Sequence, residues 1–428
     1  MSKRAPIVVM VAIAAVLALT QVWPVAGQAT TSRPEDVGLS SERFQRVSEL
    51  MKRHVDAKSF SGAVTLVARR GKVVHLQPHG LKDLESQKAM PADGIFRIMS
   101  MTKPVVGVAI LMLMEEGKVR LTDPASKFVP ELKGMKVAVP QPGATTPGSD
   151  PKYYTVPADH EITVRELLTH TSGLVSGPMS NAANRAIDKK GNDTLADYIP
   201  RLIQTPLEFQ PGTRWAYSGQ AGFDLLLRIV EVASGQTADR FLKTRIFDPL
   251  GMKDTGFQPP TGNPRLVSLY QRTPEGTLRP QPEATFQNGI YFSGGGGLYS
   301  TAQDYFQFAQ MLLAGGQLHG KRLLSDRTVA LMRSAFAPDT LPGRLAGEGY
   351  GLSVRVVTSA VARNTFLSDG SFGWSGAYGT HFWIDPKEEI IGILMTQTPS
   401  REAQADFETA AMQTIATGAP SGAVSGTR

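Results

Sequence analysis

The strongest restriction on the fold lies at residues 100–117, where a short polar start leads into a long apolar run. The run predicts a helix from about Met101 to Gly117, with the glycine near its C-terminal cap. Proline is tolerated only in the first turn of a helix, where its missing N–H would have no helical partner. Pro104 therefore places Ser100 at the helix N-terminus, where the helix dipole and free N–H groups favour developing negative charge.

Ser100 and Lys103 form a Ser-x-x-Lys pair, and residues three apart meet on one face of a helix. A serine hydroxyl needs a base to act as a nucleophile, and a buried, desolvated lysine can be neutral enough to serve. A second pair, Ser149 and Lys152, lies in a stretch rich in proline and glycine, with Pro151 inside the motif. Ser100 is therefore the candidate nucleophile, with an ordinary N-capping serine beside an exposed lysine as the alternative.

A tyrosine phenolate held beside a lysine could share the work of the base. Tyr217 is the candidate, in the segment PGTRWAYSGQAG. Because the turn residues Pro211 and Gly212 precede it, the segment predicts that Tyr217 lies at the start of a helix. The alternative is a buried core tyrosine that is hydrogen-bonded to a carbonyl group.

Predicted strands lie at both ends of the chain, with predicted helices between them. The predicted strands are 62–70, 72–77, 350–358, 377–385 and 389–397; the predicted helices are 41–56, 162–170, 194–203, 222–234, 238–247, two within 303–336, and 401–416; and 140–158 is predicted as a long surface loop. This order predicts an α+β fold that is split by a mostly helical insertion.

The first thirty residues have the layout of a secretory signal. Lys3 and Arg4 precede an unbroken apolar run from Ile7 to Leu19, which is too short to span a bilayer comfortably. We therefore expect export to the periplasm or the medium, with an uncleaved N-terminal anchor as the alternative. No other apolar stretch is long enough to cross a membrane, so no membrane span is expected after signal cleavage.

Composition and motifs exclude several other classes. The chain has no cysteine, and its net charge of +7 is scattered rather than concentrated as in a nucleic-acid-binding protein. Asp159-His160-Glu161 lacks the second histidine of a zinc-protease helix because position 164 is Val164. Gly294–Gly297 lacks the Lys-Ser/Thr of a phosphate loop and is predicted as a flexible or tightly turned loop, and no Gly-x-Ser-x-Gly elbow occurs. We expect no metal, no cofactor and no nucleic acid.

Six segments together resemble the serine β-lactamase and penicillin-binding-protein superfamily, and within it the class C β-lactamase-like group that includes the family VIII carboxylesterases. The segments are FRIMSMTKPVVGVAIL, TVRELLTHTSGL, PGTRWAYSGQAGFDLLLRIVE, DPLGMKDTGF, GGGGLYSTAQDYFQFAQMLL and GWSGAYGTHFWIDP. They follow the family's order from about residue 40 to 400, and they are specific jointly although each is weak alone. The resemblance implies an antiparallel sheet flanked by helices, as in β-lactamases and transpeptidases.

The same resemblance assigns roles to individual residues. It implies Ser100 as the nucleophile of an acyl-enzyme, Lys103 as its partner, and Tyr217 as general base and then general acid. It also implies a third element, Trp374-Ser375-Gly376, on a strand beside the site. The backbone N–H groups of Ser100 and Ala377 would then form the oxyanion hole, where one donor is typically worth about 3 kcal/mol of barrier.

Two departures from the family pattern bear on the substrate. Lactamases and peptidases carry Lys-Thr-Gly at the third element, where the lysine meets a substrate carboxylate, but this chain has Trp374. They carry Tyr-x-Asn at the second element, where the asparagine contacts an acyl amide, but this chain has Gly219. A site without these groups would not select β-lactams or D-Ala-D-Ala peptides strongly, and an aromatic side chain suits an uncharged acyl or alkyl group.

The sequence therefore predicts a carboxylesterase acting on a small-molecule ester. A β-lactamase or D-amino-acid peptidase (DD-carboxypeptidase) acting on an amide is the first alternative, and a non-catalytic penicillin-binding-like module is the second. Glu166 and His170, in RELLTHTSGL, are expected to be structural. The predicted organisation is a signal peptide at 1–29, a hydrolase domain at 30–417 (an α/β part at about 30–100 and 340–417, a helical part at about 101–339) and a flexible tail at 418–428.

Overall fold

A computed structural model of the chain describes residues 32–141, 150–188, 190–258, 262–282 and 289–416. Its α-helices are α1 Ser41–Asp56, α2 Thr102–Glu115, α3 Val164–Leu168, α4 Pro178–Arg185, α5 Leu195–Tyr198, α6 Ala221–Ser234, α7 Ala238–Leu242, α8 Asp248–Leu250, α9 Ala302–Leu313, α10 Asp326–Met332, α11 Ala360–Arg363 and α12 Arg401–Met412. Its β-strands are β1 Gly62–Arg69, β2 Lys72–Asp83, β3 Lys88–Ala89, β4 Phe96–Arg97, β5 Lys136–Pro140, β6 Tyr153–Pro157, β7 Tyr270–Arg272, β8 Leu278–Pro280, β9 Tyr299–Ser300, β10 Gln317–Leu318, β11 Lys321–Arg322, β12 Glu348–Tyr350, β13 Arg355–Val357, β14 Phe372–Ser375, β15 His381–Asp385 and β16 Ile390–Thr396. The predicted signal peptide, Ser149 and the predicted tail lie outside the described residues.

One antiparallel sheet of eight strands dominates the described structure, in the order β12-β13-β14-β15-β16-β1-β2-β3. Its strands come from both ends of the chain, and β1 pairs with β16 to join the two sets, with Val67 opposite Gly392. The helix-rich segment between β3 and β12 is therefore an excursion from a sheet that closes late in the sequence. The predicted α+β fold, an antiparallel sheet flanked by helices, is confirmed.

Each face of the sheet has its own core because alternate side chains of a strand point to opposite sides. Val64 and Leu66 of β1 belong to a core shared with α2 and α9. Ala63 and Val67 belong to a second core shared with α1 and α12. Helix α9 contacts β1 and β16 directly, so the sheet is covered on both faces by helices from distant parts of the chain.

Helix α2 is buried along nearly its whole length. Residues 105–113 are all apolar or glycine, and burying each large aliphatic side chain stabilises the fold by roughly 1.5–3 kcal/mol. A 3₁₀ turn at Met99–Met101 leads into the helix, and Pro104 lies in its first turn. Helix α2 thus holds Ser100 from the interior of the protein. Neither α2 nor any other helix in the described ranges is long and apolar enough to cross a membrane.

Part of the segment predicted as a surface loop is a hairpin. Strands β5 and β6 pair with Val137 opposite Val156, so the prediction of a loop throughout 140–158 is wrong. The many proline and glycine residues of this segment concealed the β-branched and aromatic residues of Tyr153–Pro157, which suit a strand.

Near the C-terminus, two strands are shorter in the structure than the sequence predicts. The predicted strand 350–358 is divided into β12 and β13 by a turn in which Ser353 has a left-handed φ of +73°. The predicted strand 377–385 begins only at His381, because the chain turns at Gly379 with φ +95°. In both places the β-rich composition predicted one strand, whereas backbone geometry interrupts it.

Candidate active site

Ser100 stands at the junction of the 3₁₀ turn and helix α2. The preceding residue, Met99, has a left-handed φ of +48°, a conformation that costs a non-glycine residue on the order of 1–3 kcal/mol. Tyr305 of helix α9 stabilises the turn, because its hydroxyl donates to the Met101 carbonyl at 2.9 Å. Packing therefore fixes a strained turn that presents the Ser100 hydroxyl, which is half-buried.

The Lys103 side chain is fully buried beside Ser100. Its Nζ donates to Ser100 Oγ at 3.1 Å, to the Gly219 carbonyl at 2.6 Å and to the Gly295 carbonyl at 2.7 Å. An ammonium group has three N–H donors and no acceptor, so these contacts use its whole capacity. These contacts hold the Lys103 Nζ in one position next to the Ser100 hydroxyl.

The Gly295 carbonyl reaches Lys103 because the glycine run Gly294–Gly297 packs closely against the loop before α6. A Cβ atom at Gly295 would lie 2.6 Å from Gln220 Cα. The buried Asp224 carboxylate fixes the run, accepting the Gly295 N–H at 2.9 Å and the Ser293 hydroxyl at 2.8 Å. The sequence predicted a turned or flexible loop here, and the four consecutive glycines were the available signal of a close approach.

The Tyr217 oxygen lies 2.6 Å from Ser100 Oγ. The prediction that Tyr217 starts a helix is wrong: it lies in an irregular segment, and α6 begins at Ala221. Burial raises the pKa of the Tyr217 phenol, but the charge of Lys103 and the hydrogen bonds at the phenol oxygen lower it more, so the net shift is downward. The phenolate form, which can accept the Ser100 proton, is therefore reached at lower pH than in an ordinary tyrosine.

His170 lies directly behind Tyr217, with the two ring centroids 4.7 Å apart. Its carbonyl accepts the Ala216 N–H at 3.0 Å, and its Nδ1 accepts the Ser218 N–H at 3.2 Å. Burial, and then the charges of Lys103 and another cation, hold the pKa of His170 well below its ordinary value. The neutral ring therefore holds the residues on both sides of Tyr217 in place.

Glu166 has the contacts of a helix cap rather than of a catalytic acid. Its carboxylate accepts the Thr163 N–H at 2.9 Å in a capping box at the start of α3. The same carboxylate accepts from His160 Nε2 at 2.8 Å, so the histidine that resembled a zinc-protease motif is engaged in this cap.

The third predicted element adjoins the other side of Ser100. Trp374 and Ser375 end strand β14, and Gly376 and Ala377 follow it into a turn. A Cβ atom at Gly376 would lie 2.3 Å from the Ile98 carbonyl oxygen, so only glycine permits this approach. The structure thus brings the element against the nucleophile turn, and a cavity of about 640 Å³ is lined by Ser100, Tyr217, Trp374, Ser375, Gly376 and Ala377.

The two positions that depart from the family pattern differ in what they do. The Trp374 ring packs 5.6 Å from the Tyr217 ring, measured between centroids, and narrows the cavity beside the reacting groups. Gly219 contributes its carbonyl to Lys103, and a Cβ atom at this glycine would meet nothing within 4 Å. Packing would therefore allow the asparagine of the family pattern at this position, although the sequence has glycine there.

A chain of hydrogen bonds leads from Ser375 to the far end of the cavity. Ser375 Oγ and His381 Nδ1 are 2.8 Å apart, and His381 Nε2 and Glu408 Oε2 are 3.3 Å apart. Burial lowers the pKa of His381, so its neutral ring accepts from Ser375 and donates to Glu408. Burial raises the pKa of Glu408, but the hydrogen bond from His381 and the charge of Arg355 lower it more, to about 2.

This far end of the cavity was not predicted from the sequence. Glu348, Arg355, Arg363, His381 and Glu408 all line the cavity. They come from five separate elements, β12, β13, α11, β15 and α12, so no local motif announces them.

The near end of the cavity has the parts of nucleophilic catalysis. The Ser100 hydroxyl lies within hydrogen-bonding distance of both a phenol of lowered pKa, Tyr217, and a fixed cation, Lys103. Within the ranges that the structure describes, no three His, Asp or Glu side chains gather where they could hold a metal ion.

Comparison with known proteins agrees with this geometry. The family model Beta-lactamase matches residues 47–416. Protein Rv1367c from Mycobacterium tuberculosis is 36% identical over 362 residues, covering 80% of this chain and 87% of its own length. Esterase EstB from Burkholderia gladioli is 30% identical over 362 residues, covering 79% of this chain and 86% of its own length. The solved structure of EstCE1, "a hydrolase with promiscuous acyltransferase activity", has a TM-score of 0.72 at 25% identity, over 87% of this chain and 98% of that chain.

Proposed function

This chain belongs to the beta-lactamase family of serine hydrolases, and we propose that within it the protein is a carboxylesterase that forms an acyl-enzyme on Ser100. The observation that carries the proposal is the 2.6 Å contact between the Tyr217 oxygen and Ser100 Oγ beside the fixed charge of Lys103. A module that only binds peptides would not need all three groups in this arrangement.

In the first half of the reaction, the Tyr217 phenolate takes the Ser100 proton while Oγ attacks the ester carbonyl carbon. Lys103 cannot be this base while its three protons are donated, but its charge favours the phenolate. The carbonyl oxygen becomes negative, and the backbone N–H groups of Ser100 and Ala377 would bind it. The C–O bond to the alcohol then breaks, and Tyr217 returns the proton to the leaving oxygen.

In the second half, water attacks the acyl carbonyl carbon and loses its proton to Tyr217. The bond from Ser100 Oγ to the acyl group breaks, and the proton returns to Oγ. The products are a carboxylic acid and an alcohol, and the enzyme is restored. One phenol thus acts as base and then acid in each half, which requires its pKa to lie nearer the working pH than that of free tyrosine.

Esters are favoured over β-lactams because two polar contacts are absent together. Trp374 stands where a lysine would meet a carboxylate, and Gly219 stands where an asparagine would meet an acyl amide. Similarity to Esterase EstB supports the same choice. A β-lactamase or D-amino-acid peptidase on the same fold is the competing function.

A panel of p-nitrophenyl esters from acetate to octanoate, run beside nitrocefin, tests the proposal. We expect kcat/KM for short-chain neutral esters to exceed that for nitrocefin by several orders of magnitude. Hydrolysis of nitrocefin comparable with that of the best ester would promote the lactamase function in its place.

Export is a further part of the proposal, on the basis of the basic start and apolar run of residues 3–19. Expression of the full chain in a Gram-negative host, followed by osmotic shock and N-terminal sequencing, tests it. We expect a protein shortened near residue 29 in the periplasmic fraction; an intact protein in the cytoplasmic fraction would contradict export.

A further inference from the structure

Positive charge exceeds negative charge at the far end of the cavity. The charged residues that line it are Arg355, Arg363, Arg401, Glu348 and Glu408. His381 lines it as well but is neutral, since burial lowers its pKa. The buried Arg344, which donates to Glu348 Oε1 at 2.8 Å, adds another positive charge behind the wall.

Arg355 differs from its neighbours in having no hydrogen bond from its guanidinium within the described part of the chain. Its nearest carboxylate oxygens are Glu408 Oε2, 3.6 Å from Nη2, and Glu348 Oε2, 3.9 Å from Nε. Its Nε is buried and has no hydrogen-bond partner among the described residues. Arg344 and Arg363, by contrast, both donate to Glu348.

An unbonded guanidinium in this position is costly. The Arg355 side chain is only 13% exposed, and it offers five N–H donors that need acceptors when water is removed. Burial, and then the charge of Arg363, lower the pKa of Arg355 by more than the charges of Glu408 and Glu348 raise it. Glu348 and Glu408 both accept hydrogen bonds from other donors, and neither accepts one from Arg355.

The strand register leaves the Arg355 side chain open toward the cavity. Arg355 lies opposite Gly373 of β14, and residues opposite each other in an antiparallel pair share a face of the sheet. Gly373 has no side chain to cover the guanidinium, and the next residue on the same face, Ser375, lines the cavity near Ser100. One continuous cavity therefore joins the nucleophile to Arg355.

We propose that Arg355 binds a carboxylate at the end of the substrate remote from the scissile bond, so that the preferred substrates are monoesters of dicarboxylic acids. The inference rests on the proposed esterase function and names its substrate class. The ester group lies at Ser100, the chain of the substrate passes Ser375 along the face of β14 that it shares with Gly373, and the free carboxylate accepts from the Arg355 guanidinium.

A carboxylate fits this end better than a phosphate does. Its two coplanar oxygens match two parallel N–H groups of a guanidinium. It also adds only a single negative charge near Glu348 and Glu408, whereas a dianionic phosphate would be repelled more strongly by both.

The first test compares monoethyl adipate with ethyl 6-methylheptanoate, which replaces the carboxylate by an uncharged isopropyl group of similar shape. Acid release is followed by pH-stat at pH 7.5. We expect kcat/KM to favour the anionic ester by roughly 10- to 100-fold, the size of a hydrogen bond to a charged group. Equal values for the two esters would overturn the proposal and leave the esterase function standing, whereas hydrolysis of neither would overturn the esterase function itself.

Substitutions locate the effect. Arg355→Met should abolish the preference through a higher KM for monoethyl adipate and leave ethyl 6-methylheptanoate unchanged, while Arg355→Lys should retain part of it. Arg401→Met, at an exposed arginine that lines the same cavity, is the matched control and should keep the preference. Loss of activity toward both esters in Arg355→Met and in Arg355→Lys would assign Arg355 a structural role instead.

A labelling experiment with the wild-type protein needs neither a stable variant nor turnover of an ester. Adipate should slow the reaction of a fluorophosphonate probe with Ser100, and adipamide, which is uncharged, should not. Equal effects of the two compounds, or none from either, would contradict a carboxylate site at Arg355.

Discussion

At the Ser100 end of the cavity all three protons of Lys103 have acceptors, whereas at the Arg355 end a guanidinium lines the wall without one hydrogen bond to the described residues. The two ends belong to the same cavity. The Lys103 donors are all used without a ligand. The Arg355 guanidinium has donors that the described residues leave for a ligand or water.

This difference suggests that separate residues carry out the reaction and select the substrate. Preorganised groups that are already satisfied need no rearrangement during the reaction, which is how active sites stabilise developing charge. Unsatisfied donors instead favour whichever substrate supplies the missing acceptor, since a substrate without it leaves a buried charge unpaired. The near end is therefore expected to control kcat and the far end to control the choice of substrate.

The largest expected effect is on the near end. Ser100→Ala should lower kcat/KM for esters by at least about 10⁴-fold and abolish labelling by a fluorophosphonate, since the covalent route disappears. Ser375→Ala is the matched control, because the Ser375 hydroxyl also lines the cavity and is hydrogen-bonded to a histidine instead of to Tyr217. Unchanged thermal unfolding would show that both variants fold. Labelling of Ser375 or Ser149 in place of Ser100 would show that Ser100 is not the nucleophile.

Loss of the base should be nearly as damaging. Tyr217→Phe is expected to lower kcat by a factor of about 10² to 10⁴, and Lys103→Ala by at least as much. The losses should not add in the double variant, because the two groups act as one unit. Full activity in Tyr217→Phe would show that this tyrosine is a core residue without a catalytic role.

The pH profile of the same variants gives a second readout. The active form of Tyr217 is deprotonated, and its pKa is lowered, so kcat/KM of the wild type should rise with pH through a midpoint below the ordinary tyrosine value of about 10. That rising limb should be absent in Tyr217→Phe. A limb that persists in this variant would assign the titration to another group.

The substrate ratio should respond to the two departures from the family pattern. Trp374→Lys is expected to narrow the gap between esters and nitrocefin by roughly one to two decades, the size of a desolvated charge contact. Conversion should be incomplete, because Gly219 still leaves the amide unmatched. Gly219→Asn has room for its side chain, so Trp374→Lys combined with Gly219→Asn should narrow the gap further. A widened gap in the double variant would show that these positions do not set the ester preference.

The smallest expected effect belongs to His170, which touches Tyr217 and not the substrate. His170→Ala should lower kcat about 10-fold without changing KM, because Tyr217 would lose its alignment with Ser100. His170→Asn should restore most of the loss, since asparagine offers an acceptor for the Ser218 N–H and tolerates the left-handed φ of +57°. A loss that asparagine does not rescue, with lowered thermal stability, would indicate core packing alone.

The sequence predicted contacts between residues that are close along the chain better than contacts between distant ones. Ser100 and Lys103 are three positions apart, so helical geometry alone places them together. The sequence indicated Tyr217 through a family resemblance, but its backbone conformation was predicted wrongly. The carbonyl of Gly295, the clamp of Asp224 and the whole Arg355 end were not predicted, because each depends on segments that meet only after folding.

The sequence by itself determined the local features of this protein. The apolar run after Pro104 required a buried helix with Ser100 at its start, and the strand-rich ends with helices between them required an α+β fold. The tertiary structure alone decided the protonation and the charge around the site. A pKa depends on burial and on nearby charges. The residues that lower the pKa of Tyr217 lie on other elements, which no local pattern connects to it. The same is true of the residues around Arg355, none of which, in the described ranges, accepts a hydrogen bond from its Nε.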